Sequence, residues 1–239
     1  MTVRTLFVAS LVCFTLNLTA QDIMVDGETI GRFISREEFK EMKKGLFTLE
    51  NGNHWRLHEF GCFRKDKRYI ELLSNKIKAT IDKVEYDHLL FSYHGIPVSH
   101  LKISDPTNSH CYKVNNCCST QSDAHKFCYK HQVLETTEAV IKKLKIDKNK
   151  YSNAFQSRLP NEAWLKPYTD DELVRLAKEG KKRMVIVTPA FVTDCLETLE
   201  EIEMEGKEEF LEAGGESYHY VPCLNDDNDW AELISKWAN

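Results

Sequence analysis

One short stretch decides the fold of this chain: Leu89-Leu90-Phe91-Ser92-Tyr93-His94-Gly95-Ile96-Pro97. Its apolar first half follows the polar segment 83–88, which is typical of a strand buried on both faces of a parallel sheet. Gly95 and Pro97 end that strand within a few residues. His94 is therefore expected just past the carboxyl end of a strand, where open α/β sheets place their ligand sites. An imidazole there can accept a proton or ligate a metal, and a histidine satisfied by a loop carbonyl fits the same pattern.

Helical and strand patterns alternate on both sides of this stretch. The apolar spacing predicts helices over residues 70–81, 133–144, 194–204 and 230–237, and the Thr-Asp-Asp-Glu capping box at 169–172 predicts one more. Short apolar runs predict strands over residues 151–155, 184–188 and 218–221. Strands that alternate with helices form a parallel sheet with helices on both faces, so the predicted fold class is α/β, as one Rossmann-like lobe.

Composition narrows the class of protein. The 239 residues carry a net charge of -5. This gives no electrostatic case for binding nucleic acid. Residues 1–20 have a basic start, an apolar run and a small-residue end, which is the layout of a secretory signal peptide; the alternative is a buried N-terminal strand or helix. Residues 21–58 stay unassigned, with a helix-prone segment at 36–44 and a hairpin turn signal at 50–53.

Carboxylates recur along the predicted helix 194–204. Asp194, Glu197, Glu201 and Glu205 follow one another at steps of three, four and four, which aligns them on one face at helical pitch. The row begins after the strand at 184–188, on the edge of the sheet where His94 is expected. A histidine facing carboxylates can guide a divalent cation or protons, whereas a solvated acidic face would show the same spacing.

A third group follows the strand at 151–155. The polar residues Gln156 and Ser157 and the cation Arg158 stand at the strand end, and Trp164 lies in the loop after it. Such a loop can hold a flat, anionic, aromatic ligand by stacking and hydrogen bonding. The alternative is ordinary packing of Trp164 against the sheet.

Four motifs, in order, resemble the ferrochelatase family. They are Leu-Leu-Phe-Ser-Tyr-His-Gly-Ile-Pro (89–97), Phe-Gln-Ser-Arg-Leu (155–159), Trp-Leu-Lys-Pro-Tyr-Thr-Asp (164–170) and Thr-Pro-Ala-Phe-Val-Thr-Asp-Cys-Leu-Glu-Thr-Leu-Glu-Glu-Ile (188–202). That family inserts ferrous iron into protoporphyrin IX in haem synthesis. The resemblance covers residues 59–239 and implies a C-terminal chelatase lobe, with iron as substrate and no nucleotide.

The resemblance implies a role for each matching residue. His94 is implied as the catalytic group that accepts pyrrole protons or meets the metal, with Glu197 as its partner across the porphyrin. A metal or proton path is implied along Asp194, Glu201 and Glu205, beside His94 and Glu197. Contacts with the porphyrin are implied for Tyr93, Gln156, Ser157 and Trp164.

Half of the eight cysteines fall in an insert at residues 108–133. This insert is similar to the [2Fe–2S]-binding insert of some bacterial ferrochelatases, whose cluster is held by cysteine thiolates. The implied ligands are Cys111, Cys117, Cys118 and Cys128, although Val133 replaces one cysteine of the family's pattern. Zinc on the same thiolates, or disulfides in an exported protein, are the alternatives.

The sequence departs from the ferrochelatase family in its first 58 residues. Ferrochelatases have two similar lobes around the porphyrin, and no motif of the first lobe is found in residues 1–58. The alternatives to a ferrochelatase are a non-catalytic porphyrin- or metal-binding module and an inactive fragment. The partners implied are a porphyrin, a peripheral membrane contact, and either a homodimer or a separate first-lobe protein. The family implies a cytoplasmic location, while residues 1–20 predict export.

Overall fold

The computed structural model describes four short strands within residues 21–56 and the continuous stretch 63–238, with side chains from 63 to 237. The chain forms two compact units, Met1–Gly61 and Cys62–Asn239. Across the described residues, no helix combines the length and the apolar character that crossing a bilayer requires.

Two antiparallel strand pairs make up the described part of the first unit. Strand β1 (Gln21–Val25) pairs with β2 (Glu28–Phe33), and β3 (Leu46–Thr48) pairs with β4 (His54–Arg56). The second pairing confirms the hairpin predicted around residues 50–53. The signal-like segment 1–20, the helix-prone segment 36–44 and the hairpin turn itself lie outside the described residues.

The second unit contains a four-stranded parallel sheet. Its strands are β5 (His88–His94), β6 (Tyr151–Gln156), β7 (Arg183–Val187) and β8 (Ser217–Val221), in the order β6-β5-β7-β8. Each predicted strand is confirmed to within one residue at either end. His94 is the last residue of β5 rather than the first residue after it.

Helices cover both faces of this sheet. The helical elements are α1 (Lys67–Ile81), α2 (Val98–Ile103), α3 (Tyr129–Leu144), α4 (Thr169–Lys178), α5 (Leu196–Thr198), a π-helical segment (Leu199–Glu205), α6 (Gly206–Glu212) and α7 (Asn228–Ala238). Two 3₁₀ turns lie at Asp123–Lys126 and Lys148–Lys150. Because side chains alternate along β5, Leu89 and Phe91 face a core built with α1, α3 and α7, whereas Leu90 faces a core built with α4, the π-helical segment and α6. The predicted α/β fold is confirmed.

Several predicted helix starts differ from the structure, including that of α1, which begins at Lys67, three residues before the predicted residue 70. Helix α4 is present, but its cap is Tyr168, and no side chain caps it. The capping box fails because Thr169 Oγ1 contacts Ser92 and the Glu172 carboxylate pairs with Arg175. Helix α3 begins at Tyr129, four residues before the predicted start.

The predicted helix 194–204 also differs in the structure. It begins at Leu196, passes through the π-helical segment and continues to Glu212. We call residues 196–212 the acidic helix. Its middle is wound more widely than an α-helix, a form that is rare and occurs often at functional sites.

Candidate functional site

His94 lies at the carboxyl edge of the sheet, half-buried beside Phe191, with ring centroids 6.0 Å apart. Its Nδ1 lies 2.6 Å from the carbonyl oxygen of Gly95. A carbonyl oxygen only accepts, so Nδ1 carries the hydrogen and the neutral ring keeps its lone pair on Nε2. Among the described residues, Nε2 has no hydrogen-bond partner. The loop carbonyl therefore orients the ring and leaves Nε2 available as a base or a ligand.

Glu197 is an exposed carboxylate that interacts electrostatically with this imidazole. The Cys195 thiol donates to the Glu197 carboxylate and lowers its pKa, and the neighbouring His94 lowers the pKa further. A lowered pKa keeps Glu197 ionised, so the edge of the sheet presents an anion beside an imidazole.

Gln156, predicted as a porphyrin contact, ties the acidic helix to the sheet. Its side chain is 3% exposed. Its Nε2 donates to the backbone carbonyl of Glu197 at 2.5 Å, and its Oε1 accepts from Ser92 Oγ at 2.9 Å. Ser92 Oγ lies 2.7 Å from Thr169 Oγ1 at the start of α4. Both ends of the Gln156 amide are thus used inside the protein, and they fix the backbone that carries Glu197.

Ser157, the next residue, holds a second carboxylate. Its backbone has φ of 62°, in the left-handed region, so the chain turns sharply at the end of β6. The Ser157 N–H and hydroxyl both donate to the Glu201 carboxylate, at 2.6 and 2.5 Å. Two donors fix the position of Glu201, which is half-buried.

A cavity of about 660 Å³ opens between the acidic helix, the end of β6 and α4. Its wall contains the predicted residues Gln156, Ser157, Glu197, Glu201 and Glu205. His94 lies outside this cavity, so the structure gathers the carboxylates around it and places the imidazole beside it.

The wall also contains Arg158, the cationic group that the sequence places at the end of β6, and three charged residues that sequence reasoning missed: Asp170, Glu200 and Glu209. Burial first, and then repulsion from Asp170 and Glu205, raises the pKa of Glu209. Glu209 continues the step of four after Glu205, so extending the predicted helix past residue 204 would have found it. Arg158 pairs with Asp170 at 2.6 Å, a contact that the spacing of the sequence does not reveal.

Asp194 does not belong to the acidic row. It precedes the acidic helix, and its carboxylate accepts from Tyr220 Oη at 2.6 Å, Asn225 Nδ2 at 2.7 Å and Thr198 Oγ1 at 3.1 Å. Each carboxylate oxygen of Asp194 therefore already accepts a hydrogen bond from the protein. These bonds connect the start of the acidic helix to β8 and to the segment after it.

Tyr93 and Trp164 are buried rather than displayed. The Tyr93 side chain is 2% exposed, and its hydroxyl lies 2.9 Å from Thr137 Oγ1 on α3. Trp164 is 4% exposed and packs beneath Gly95, where an added Cβ would come within 3.3 Å of its ring. This is the loop packing that the sequence left open, and contact of either residue with a porphyrin stays a prediction.

The four cysteines of the insert lie near one another as free thiols. Interaction with the Cys118 thiol lowers the pKa of Cys128, and burial together with Cys128 raises the pKa of Cys111. Cys117 acts electrostatically on both Cys111 and Cys118. Within residues 63–237, no group of three or more histidine, cysteine or carboxylate side chains is arranged as ligands around a metal ion. The metal roles of the acidic row and of the insert therefore stay predictions.

Known proteins resemble this chain over most of its length. The family model described as Ferrochelatase matches residues 33–239. A protein named Ferrochelatase from Opitutus terrae is 49% identical over 173 residues, which cover 72% of this chain and 50% of that protein. Proteins of the same name from Pseudomonas fluorescens (strain Pf0-1) and Pseudomonas syringae pv. tomato are 44% and 42% identical over 174 residues, covering 72% and 73% of this chain and 51% of each relative. The chain spans about half the length of the curated relatives it matches.

Proposed function

The chain belongs to the ferrochelatase family, and from that premise we propose that it inserts ferrous iron into a porphyrin at the carboxyl edge of its sheet. The observation that carries this proposal is that His94, whose Nε2 lone pair is available, interacts electrostatically with the ionised Glu197. A neutral imidazole and a carboxylate together provide a base and an anion at one site.

The reaction defines what these residues must do. Two pyrrole N–H protons leave the porphyrin as the divalent ion enters, so a base is required close to the ring nitrogens. His94 Nε2 is suited to accept such a proton, because the Gly95 carbonyl fixes Nδ1 as the protonated nitrogen. Binding energy spent on puckering the macrocycle exposes the nitrogen lone pairs to the metal.

The acidic helix is proposed as the route by which the cation approaches or the protons leave. Glu197, Glu201 and Glu205 line the cavity, and Glu200 and Glu209 add negative charge to its wall. Carboxylate oxygens attract divalent cations, and ferrous iron binds both carboxylate and imidazole ligands. Since Ser157 fixes Glu201 with two hydrogen bonds, that carboxylate is a stationary point along the route.

The cysteine insert is proposed as the site of a [2Fe–2S] cluster. Cysteine thiolates are the ligands that such clusters use, and these four thiols are close enough to act on one another electrostatically. The ligands would be Cys111, Cys117, Cys118 and Cys128, and the cluster, when bound, would supply a cross-link and one-electron chemistry. Zinc on the same thiolates is the competing occupant, and iron, sulfide and zinc analysis of anaerobically purified protein distinguishes the two.

Anaerobic insertion of ferrous iron or zinc into a porphyrin, followed by absorbance, tests the proposed activity. The purified protein should turn over, and Glu197→Gln should lower the rate by about 100-fold or more, because the proposed partner anion of His94 is removed. Glu208→Gln is the matched control, since Glu208 is an exposed glutamate of α6 outside the cavity wall. A folded wild-type protein that binds the porphyrin without turnover would instead support a porphyrin-binding module.

The same assay examines the proposed partners. If a homodimer completes the site, the specific activity should rise with protein concentration and level off once nearly all of the protein is dimeric. A specific activity that is constant over the whole range would contradict assembly of the site from two copies. Repeating the assay with vesicles examines the predicted membrane contact.

A further inference from the structure

Three histidines surround the paired cysteines of the insert. His110 Nε2 and His125 Nε2 lie 2.8 and 2.9 Å from the same carbonyl oxygen, that of Cys117. His131 Nδ1 lies 2.9 Å from the carbonyl oxygen of Cys118. Because carbonyl oxygens only accept, each of these nitrogens carries its hydrogen and donates it. Three imidazoles are thus directed at the backbone of two consecutive residues.

The rings also support one another. His125 and His131 are stacked, with centroids 3.6 Å apart and planes 10° from parallel, and His110 meets His125 edge-on at 5.4 Å. The second nitrogen of His131 lies 3.4 Å from the Glu135 carboxylate on α3. Glu135 in turn pairs with Arg64, which precedes α1. The group of histidines is therefore anchored to regular structure on one side and contacts the cysteine turn on the other.

The other two cysteines are fixed by different contacts. The Cys111 N–H donates to the buried Asp105 carboxylate at 2.8 Å, and Cys128 caps the amino end of α3, with its N–H 2.9 Å from the Ala124 carbonyl. Burial alone would raise the pKa of Asp105, but hydrogen bonds from Cys111, Thr107 and His110 outweigh it and hold the pKa well below its usual range. Cys117 and Cys118 lie in turns, outside any helix or strand, so the histidines supply the anchoring that regular structure would otherwise give.

We propose that His110, His125 and His131 are positioning residues that hold the Cys117–Cys118 turn in place beside Cys111 and Cys128. The proposal rests on the cluster site proposed above and assigns a function to three residues outside the proposed ligand set. Groups that orient metal ligands in this way commonly change metal affinity by about 10- to 100-fold when they are removed.

Paired variants test this role. His110→Gln and His125→Gln keep a donor near the ring Nε2 position, and His131→Asn keeps one near Nδ1, whereas the three leucine variants remove the donor. His100→Leu is the control, because His100 is exposed on α2 outside the insert. Circular dichroism and thermal unfolding establish that every variant keeps the sheet.

Two measurements are made on each variant. After anaerobic reconstitution with ferrous iron and sulfide, the wild type, the control and the donor-keeping variants should hold iron and sulfide in equal amounts with the same visible spectrum. The leucine variants should release iron to a chelator about 10-fold faster or more. In the protein without iron, the leucine variants should react faster with a thiol reagent such as DTNB, because the turn is no longer held.

The outcomes separate the two proposals. Leucine variants that match the donor-keeping variants in both measurements would overturn the positioning role. A wild type that takes up neither iron nor sulfide would overturn the cluster, while faster thiol reaction in its leucine variants would still support the histidine group. If every leucine variant retains the cluster with an unchanged spectrum, the cluster proposal would be supported and the positioning role of the three histidines would be overturned.

Discussion

At the scale of single residues, hydrogen-bond partners decide which atoms can act. The position of His94 at a strand end follows from Leu89 to Pro97, but its tautomer depends on one contact with the Gly95 carbonyl. For Asp194 the sequence pattern is misleading. Its position fits the spacing of the acidic row, but Tyr220 and Asn225 donate hydrogen bonds to its carboxylate and occupy it within the protein. Those two partners lie 26 and 31 residues later, so no local pattern reveals them.

The first residue-scale prediction concerns His94. His94→Ala should reduce the proposed porphyrin metalation by about 100- to 10,000-fold, because the proposed base for the pyrrole protons is lost. Its melting temperature should stay close to that of the wild type, since the ring is half-buried and its hydrogen bond is to its own loop. His100→Ala, on exposed surface, is the control. Retained turnover in His94→Ala would remove His94 from the mechanism.

The second residue-scale prediction concerns His88, at the opposite end of β5. Ser152 Oγ donates its only hydrogen to the Glu172 carboxylate at 3.2 Å, so His88 Nε2 must donate to Ser152, at 2.8 Å. The bare Nδ1 is buried and has no partner among the described residues. Burial, and then the positive charge of Lys181, lowers the pKa of His88 to about 4.

This lowered pKa makes stability depend on pH. The unfolded chain binds a proton at His88 near pH 6.5 and the folded protein only near pH 4, so folding stability is lost as pH falls between these values. The full loss is about 3 kcal/mol. Urea unfolding of the wild type and His88→Gln from pH 7.5 to 4 should show a smaller loss in the variant. Equal slopes in the two proteins would contradict the assignment.

At the scale of elements, the acidic helix departs most from what the sequence predicts. Steps of four residues fit both an α-helix and a more widely wound π-helix, so the spacing of Glu197, Glu201 and Glu205 does not distinguish them. The sequence therefore predicts the face correctly and the winding wrongly. Gln156 supplies part of the physical reason, because its amide donates to the carbonyl of Glu197 in α5, two residues before the π-helical segment begins.

A prediction at this scale follows for Gln156. Gln156→Leu removes a buried donor and leaves the Glu197 carbonyl without it, which should lower the free energy of unfolding by about 1–3 kcal/mol. Metalation should fall as well, because the backbone that carries Glu197 is released, while Gln121→Leu at an exposed position should change neither. Denaturant unfolding and initial rates measure both effects. A variant with lost stability and wild-type turnover would show that Gln156 supports the fold alone.

At the scale of the whole second unit, alternating apolar runs and helical stripes were sufficient to predict the parallel sheet and its two covered faces. The insert at 108–133 was found from its cysteines, but its links to the rest of the unit were not. Tyr129, the first residue of α3 and the neighbour of Cys128, donates its hydroxyl to the backbone carbonyl of His94 at 2.9 Å. That bond joins the insert to the proposed catalytic edge.

The prediction at this scale is that Tyr129→Phe uncouples the two regions. Losing one hydrogen bond should cost about 1 kcal/mol of stability. The rate of metalation should fall several-fold while iron and sulfide content is unchanged, because the cysteines keep their own contacts. Tyr112→Phe, at an exposed tyrosine of the insert, is the control. A fall in cluster content alone, with turnover per loaded protein unchanged, would mean that the bond serves the insert only.

Strand β5 carries a histidine at each end, and this has a practical consequence for enzymology. Acidification unfolds the protein through His88, so the acidic limb of any rate profile contains loss of the fold as well as any loss of chemistry at the opposite edge of the sheet. In His88→Gln the protein should tolerate acid better, and the remaining decline would then report on the proposed catalytic edge. That single background variant would separate the pH dependence of folding from that of the reaction.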